Sequence, residues 1–158
     1  MRLLFVCLGN ICRSPTAEGV MADLLAREGL EDVIEVDSAG TGSWHVGGAP
    51  DERATAAAAE RGIALTSRAR QVSPADLTSF DLVLAMDARN AADLRALAPD
   101  DAARDRVRLL RSYDPASAAA GDLDVPDPYY GAGDGFALVL DQVQAACAGL
   151  LEEIRPQT

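Results

Sequence analysis

Cys7 and Arg13 stand six positions apart, joined by Leu8-Gly9-Asn10-Ile11-Cys12 and followed by Ser14-Pro15. The first carries a nucleophilic sulfur, and the second a planar cation whose fork matches two oxygens of one phosphate. The apolar run Leu3-Leu4-Phe5-Val6 before them reads as a strand, and an amphipathic segment follows them. The loop therefore leads into a helix N-terminus, where unpaired N–H groups and the positive end of the dipole favour an anion. Both that terminus and Arg13 favour thiolate over thiol at Cys7. Gly9 and Asn10 are the residue types that most readily take left-handed backbone, as a loop must if successive N–H groups are to face one centre. Ser14 suits an N-cap with Pro15 in the first helical position; its hydroxyl could instead donate to the Cys7 sulfur. Thiolate, amide cradle and guanidinium together suit a tetrahedral dianion.

A cysteine attacking a phosphate ester wants an acid on the opposite side, to protonate the leaving oxygen. Asp122-Leu123-Asp124-Val125-Pro126-Asp127-Pro128-Tyr129-Tyr130 holds three candidates. Asp127 lies between two prolines that stiffen its loop, and Asp114, also followed by proline, is a rival on that criterion. Local reasoning leaves the choice among them open.

These residues need a frame. Arg2–Cys7 reads as a buried strand and Pro15–Glu28 as a helix, with Val20, Met21, Leu24 and Leu25 on one stripe. Val33–Ser38 reads as a second strand, Asp51–Arg61 as an alanine-rich helix, Leu82–Met86 as a third strand and Arg89–Leu97 as a helix. Val107–Leu110 is a short fourth strand, Ala116–Gly121 a small-residue loop, and Gly135–Ile154 the longest helix. Alternating β and α elements predict an α/β fold: a four-stranded parallel sheet, doubly wound, with helices on both faces and a phosphate-binding loop after strand 1. In such folds the site lies beyond the carboxyl ends of the strands, near a topological switch point. Cys7, Ser38 and Asp87 fall at or next to such ends.

A length of 158 residues with 49% hydrophobic and 25% charged residues predicts one globular domain, 1–158, that needs no disulfide staples. No run approaches the length of a membrane span, and the apolar start reads as a strand rather than a signal peptide. With a cysteine needed as a free thiolate, this predicts a cytoplasmic protein. Net charge is −11, which makes nucleic acid and anionic membranes poor partners. All fourteen basic residues are arginine. No metal-ligand cluster is visible, no cofactor is expected, and the chain reads as a monomer. Cys147 sits on the buried stripe of the last helix and reads as inert core. His45, the one histidine, reads as a loop residue beside Trp44, because a Cys–His dyad would leave Arg13 without a role.

From Val6 to Pro15 the chain reads V-C-x-G-N-x-C-R-S-P. This resembles the hallmark of the low-molecular-weight protein tyrosine phosphatase family at every specified position. The resemblance extends to about Tyr130 and implies hydrolysis of phosphotyrosine in proteins through a cysteinyl-phosphate. It implies Cys7 as nucleophile, Arg13 and the amides of Leu8 to Arg13 as phosphate ligands, and Asp127 of Asp127-Pro128-Tyr129 as general acid. Such a site takes a near-dianionic substrate with Asp127 protonated, so activity is expected to be highest on the acidic side of neutral. The resemblance also implies Trp44 and Tyr129 as walls of a slot for a phenyl ring, with Tyr130 either there or in the core. Asn10 and Ser38 resemble the family's pair that braces the loop. Asp87 resembles its second-tier acid, or serves as the N-cap of the next helix. Cys12 could capture an oxidised Cys7 as a disulfide, or fill space as a small thiol. Glu18 has a family counterpart that pairs with a histidine, where this chain carries Ser67. Two rivals share the fold. Arsenate reductase needs further cysteines after the third strand, and Leu82 to Leu97 has none. Related phosphoarginine phosphatases carry threonine where this chain has Ile11.

Overall fold

The computed structural model describes residues 1–129 and 135–155. Strand β1 (Arg2–Cys7) leads into helix α1 (Arg13–Arg27), followed by β2 (Glu35–Gly40) and α2 (Glu52–Glu60). A short α3 (Asp76–Ser79) precedes β3 (Leu82–Ala85) and α4 (Ala88–Leu97). Then come α5 (Asp101–Asp105), β4 (Val107–Leu109), a 3-10 turn (Leu110–Tyr113), α6 (Pro115–Ala120) and α7 (Gly135–Ile154). All pairings are parallel and the strand order is β2-β1-β3-β4. The sheet is thus the expected doubly wound one.

The period-2 alternation of β1 divides the core in two. Leu3, Phe5 and Cys7 face one way, into a cluster with Val20, Met21 and Leu25 of α1 and Val139, Val143, Cys147 and Leu150 of α7. Leu4 and Val6 face the other, against Leu77 of α3, Ala91 and Leu94 of α4 and Ala103 of α5. β1 is followed by a helix on the first face and β3 by one on the second. The chain therefore leaves a crevice between the carboxyl ends of these neighbouring strands.

Four local expectations are corrected. The second strand is shifted by two residues from Val33–Ser38, because Val33 and Ile34 still donate to the Leu30 carbonyl in the turn after α1. Pairing then runs from Arg2 with Glu35 to Cys7 with Gly40. Ser14 is not an N-cap: α1 begins at Arg13, with Cys12 in the flanking position and no side-chain cap. Pro15 still costs no hydrogen bond, since the third N–H of a helix is unpaired in any case. Ala116–Gly121 is not a loop but most of α6, capped by Asp114 through the Ala116 N–H and closed by left-handed Gly121 (φ 71°). An aspartate cap, a proline at N1 and a run of alanines explain it. The fourth correction concerns Gly9, in the site itself.

Candidate active site

Cys7 ends β1 at the crevice, 3% exposed. Its Sγ lies 3.0 Å from the Ser14 Oγ and accepts from the Asn10 N–H at 3.3 Å. Asn10 alone in this loop is left-handed (φ 56°); Gly9 is not. Room bears on the glycine, since a Cβ there would come 3.1 Å from the His45 ring, which would have to give by a few tenths of an ångström. Room also explains Gly40, whose Cβ would sit 2.7 Å from the Leu8 carbonyl oxygen. The Asn10 amide donates to Ser14 Oγ (2.8 Å) and Ser38 Oγ (2.9 Å), and its Oδ1 accepts from the Arg70 N–H (3.0 Å). Ser38 Oγ in turn donates to Glu18 Oε1 at 2.5 Å. Asn10 and Ser38 are thus bonded to each other beneath the loop, and the chain of hydrogen bonds continues to Glu18.

Above this floor, the main-chain N–H groups of Gly9, Ile11, Cys12 and Arg13 donate to no acceptor among the described residues. The Arg13 guanidinium, 3% exposed, closes the other side. Its Nη1 donates to Asp87 Oδ2 (2.6 Å) and the Val125 carbonyl (2.9 Å), and its Nη2 lies 3.6 Å from Asp127 Oδ2. Burial works against that cation, but Cys7, Asp87 and Asp127 more than offset it and its pKa rises. Asp87 is the N-cap of α4, its Oδ1 accepting from the Asn90 N–H, while its Oδ2 accepts from Arg13.

A cavity of about 400 Å³ opens over Cys7, with Arg13 and Asp127 on its wall and Trp44, His45 and Tyr129 toward its mouth. Leu8, Gly9, Ile11 and Cys12 complete the lining. Trp44 is 73% exposed and its ring lies across Gly42, where no Cβ would fit. Tyr129 is backed by Arg53, whose guanidinium lies 5.6 Å from the ring and donates to the Tyr129 carbonyl. Tyr130 lies outside the described residues. Asp114 is spent capping α6, and the Asp124 carboxylate accepts from the Ala88 N–H. Of the four acids, Asp127 is the one lining the cavity. Burial first, then the neighbouring Asp51 and Cys7, push the Cys12 thiol up to about 12. Cys147 is fully buried, which pushes its thiol up as well.

Sequence reasoning missed Arg70 and Arg111. Arg70 carries the N–H under Asn10 and pairs with Asp37 and Asp76. Arg111, 7% exposed, donates to the Asp124 carbonyl at 2.5 Å and to Ser117 Oγ at 3.0 Å. Neither lies at a spacing that signals such a role, because tertiary pairing alone brings each to its partner.

A thiol, a guanidinium and unpaired amides gathered at the switch point of a doubly wound sheet belong to the class of cysteine-dependent phosphatases. The model of the family "Low molecular weight phosphotyrosine protein phosphatase" matches residues 2–158, and the chain belongs to that family. The low molecular weight protein-tyrosine-phosphatase of Streptomyces coelicolor is 51% identical over 156 residues, spanning 99% of this chain and 94% of that one. The crystal structure of YfkJ from Bacillus subtilis superposes with a TM-score of 0.90 at 42% identity, covering 98% and 94% of the two chains. A Drosophila arginine phosphatase has the same fold at 32% identity, with a TM-score of 0.90 over 100% of both chains.

Proposed function

We propose that this protein hydrolyses phosphotyrosine in polypeptides through a cysteinyl-phosphate on Cys7. The observation that carries the reading is the placement of the Cys7 sulfur beneath unpaired amides, beside Arg13 and in one cavity with Asp127. In the first step the sulfur attacks phosphorus in line, the P–O bond to the phenol breaks, and Asp127 gives its proton to the departing oxygen. Arg13 and the amides of Leu8 to Arg13 hold the three equatorial oxygens, so positioning and electrostatics supply most of the rate. In the second step Asp127 takes a proton from water as that water attacks phosphorus. The S–P bond breaks, phosphate leaves and the thiolate returns. The Ser14 hydroxyl accepts from Asn10 and, in competition with the Ala39 carbonyl at 3.5 Å, can give its proton to the sulfur 3.0 Å away, which serves the sulfur both as nucleophile and as leaving group.

Trp44 and Tyr129 bound a slot suited to a phenyl ring. Asp87 and Ser38 support it from behind, the one fixing Arg13 and the other Asn10. Cys12, protonated and in the same loop, is the partner for an oxidised Cys7: condensation of a sulfenic acid with the Cys12 thiol releases water and forms a disulfide. The apolar side chain of Ile11 in the cavity favours an aromatic ester over phosphoarginine. The test is an assay of phosphotyrosine peptide, phosphoarginine and arsenate side by side, with Cys7→Ser in parallel. We expect turnover of the peptide alone, reduced at least a thousandfold in the variant. Retained activity in Cys7→Ser would overturn the assignment.

A further inference from the structure

A second cavity of about 290 Å³ adjoins the first, with Leu8 and Trp44 lining both. Beyond that shared wall it passes Thr41 and Gln71 to reach Arg89 and Asp93 on the first turns of α4. A phosphotyrosine side chain standing in the first cavity leaves its main chain at the mouth, on the exposed faces of Leu8 and Trp44. An extended polypeptide advances about 3.3 Å per residue, so the residues next to the phosphotyrosine are those that cross this ridge.

Arg89 is unusual in this chain. Twelve of the fourteen arginines engage a carboxylate or a carbonyl. Arg68 and Arg89 have no such partner among the described residues, and Arg68 lines a different cavity, across α2. Arg89 thus presents to this second cavity a guanidinium that no carboxylate among the described residues neutralises. Its position is fixed relative to the chemistry, because Asp87, two residues before it, caps the same helix and grips Arg13.

We propose that the second cavity is a substrate subsite that takes a carboxylate side chain flanking the phosphotyrosine, with Arg89 as its cation. The inference rests on the phosphotyrosine reading above. Asp93 decides between an acidic residue and a second phosphoryl group. It sits in the same cavity one helical turn from Arg89, and its charge tolerates a monoanion beside one guanidinium better than a dianion.

The experiment compares two phosphotyrosine peptides that differ only in carrying Glu or Gln at the positions on either side of the phosphotyrosine. Wild type should show kcat/KM about three- to fivefold higher for the Glu peptide at low ionic strength, the size expected of one partly exposed charge pair, and the preference should shrink in salt. Arg89→Met should abolish the preference, Arg89→Glu reverse it and Asp93→Asn widen it. All three should hydrolyse phenyl phosphate, too small to reach the subsite, at the wild-type rate. Equal rates on the two peptides in wild type, or a preference that survives Arg89→Met, would overturn the subsite alone. Failure to hydrolyse either peptide while phenyl phosphate is turned over would overturn the phosphotyrosine reading, and the subsite with it.

Discussion

Asn10 and Asp127 stand on opposite sides of the Cys7 sulfur and are held in opposite ways. Asn10 is 1% exposed and makes four hydrogen bonds, to the Cys7 sulfur, Ser14, Ser38 and the Arg70 N–H. The Asp127 side chain is 35% exposed, accepts the Tyr129 N–H and lies 3.6 Å from Arg13. Its loop is tied at Asp124 and Val125, three and two residues before Asp127, by Arg111, Arg13, the Ala88 N–H and the Met86 carbonyl. On the proposed mechanism, the contrast follows from two different jobs. A cradle for a dianion must exist before the substrate arrives, because amides that reorganise during reaction stabilise little. In the proposed mechanism the acid serves a leaving phenol and then a water, so both must reach it through the open side of the cavity.

If this contrast is right, damage to the acid side costs rate and damage to the cradle costs stability. The largest effect is expected of Asp127→Asn, which keeps the shape and removes the proton. Turnover of phenyl phosphate should fall by roughly 10²–10⁴-fold, with the urea midpoint unchanged. The limb on which wild-type rate falls as pH rises should flatten, since that limb reports loss of the acid's proton. A variant retaining it would place the acid elsewhere.

On the cradle side, Asn10→Ala places a Cβ-bearing residue without a polar side chain at φ 56° and deletes three side-chain hydrogen bonds. Urea unfolding should report a loss of about 2–4 kcal/mol. Asn10→Gly, which relieves the backbone but not the hydrogen bonds, should recover about 1 kcal/mol of it. Equal losses in the two variants would show that the backbone conformation contributes nothing.

Arg111 tests the boundary between the two regimes, because it is buried like the cradle but grips the acid loop. Replacement by Met loses the bonds to Asp124 and Ser117 and a solvent-facing ion pair with Asp122, but also removes a buried Nε that has no partner among the described residues. Stability should therefore change little while the acid drifts, lowering kcat roughly ten- to hundredfold. A merely structural arginine would slow all substrates alike. A positioning one should slow phenyl phosphate more than p-nitrophenyl phosphate, whose leaving group scarcely needs a proton.

What could be read from residues alone divides along the same line. The cradle is local: Cys7, Asn10, Arg13 and Ser14 lie within eight consecutive positions, so strand, loop and helix were legible together. The two hydrophobic faces were legible because Leu3 to Cys7 is an unbroken apolar run, as a strand covered on both sides requires, and its residues do divide between the two clusters. The proposed acid was not, because four aspartates share similar local chemistry: Asp114 is engaged locally as the cap of α6, but only the folded chain brings the Ala88 N–H to Asp124 and Asp127 to the cavity. Ser14 misled for a related reason. A serine before a proline has the chemistry of a cap, and the competing attraction of the Cys7 sulfur and Asn10 amide appears once the loop has curled back.

The smallest expected effect lies at the far end of the cradle's network and concerns its sign. Glu18 sits on α1 with its Oε1 on the Ser38 hydroxyl. Burial raises its pKa and Asp37 adds to the rise, against the opposing pull of the Ser38 bond and of Arg70. Below the ordinary glutamate range the carboxyl is protonated in folded and unfolded chains alike, and its full contribution to stability is present. As pH rises through that range the unfolded chain ionises first, so stability is lost until the folded group ionises too. Glutamine carries no charge at any pH and still offers an oxygen to Ser38. Glu18→Gln should therefore unfold at the same urea concentration as wild type near pH 4 and at a higher one near pH 7. A lower midpoint at neutral pH would mean that the charge itself holds Ser38, and through it Asn10, in place. The cradle would then depend on an ion as the acid side depends on its arginines, and the contrast between the two sides would narrow.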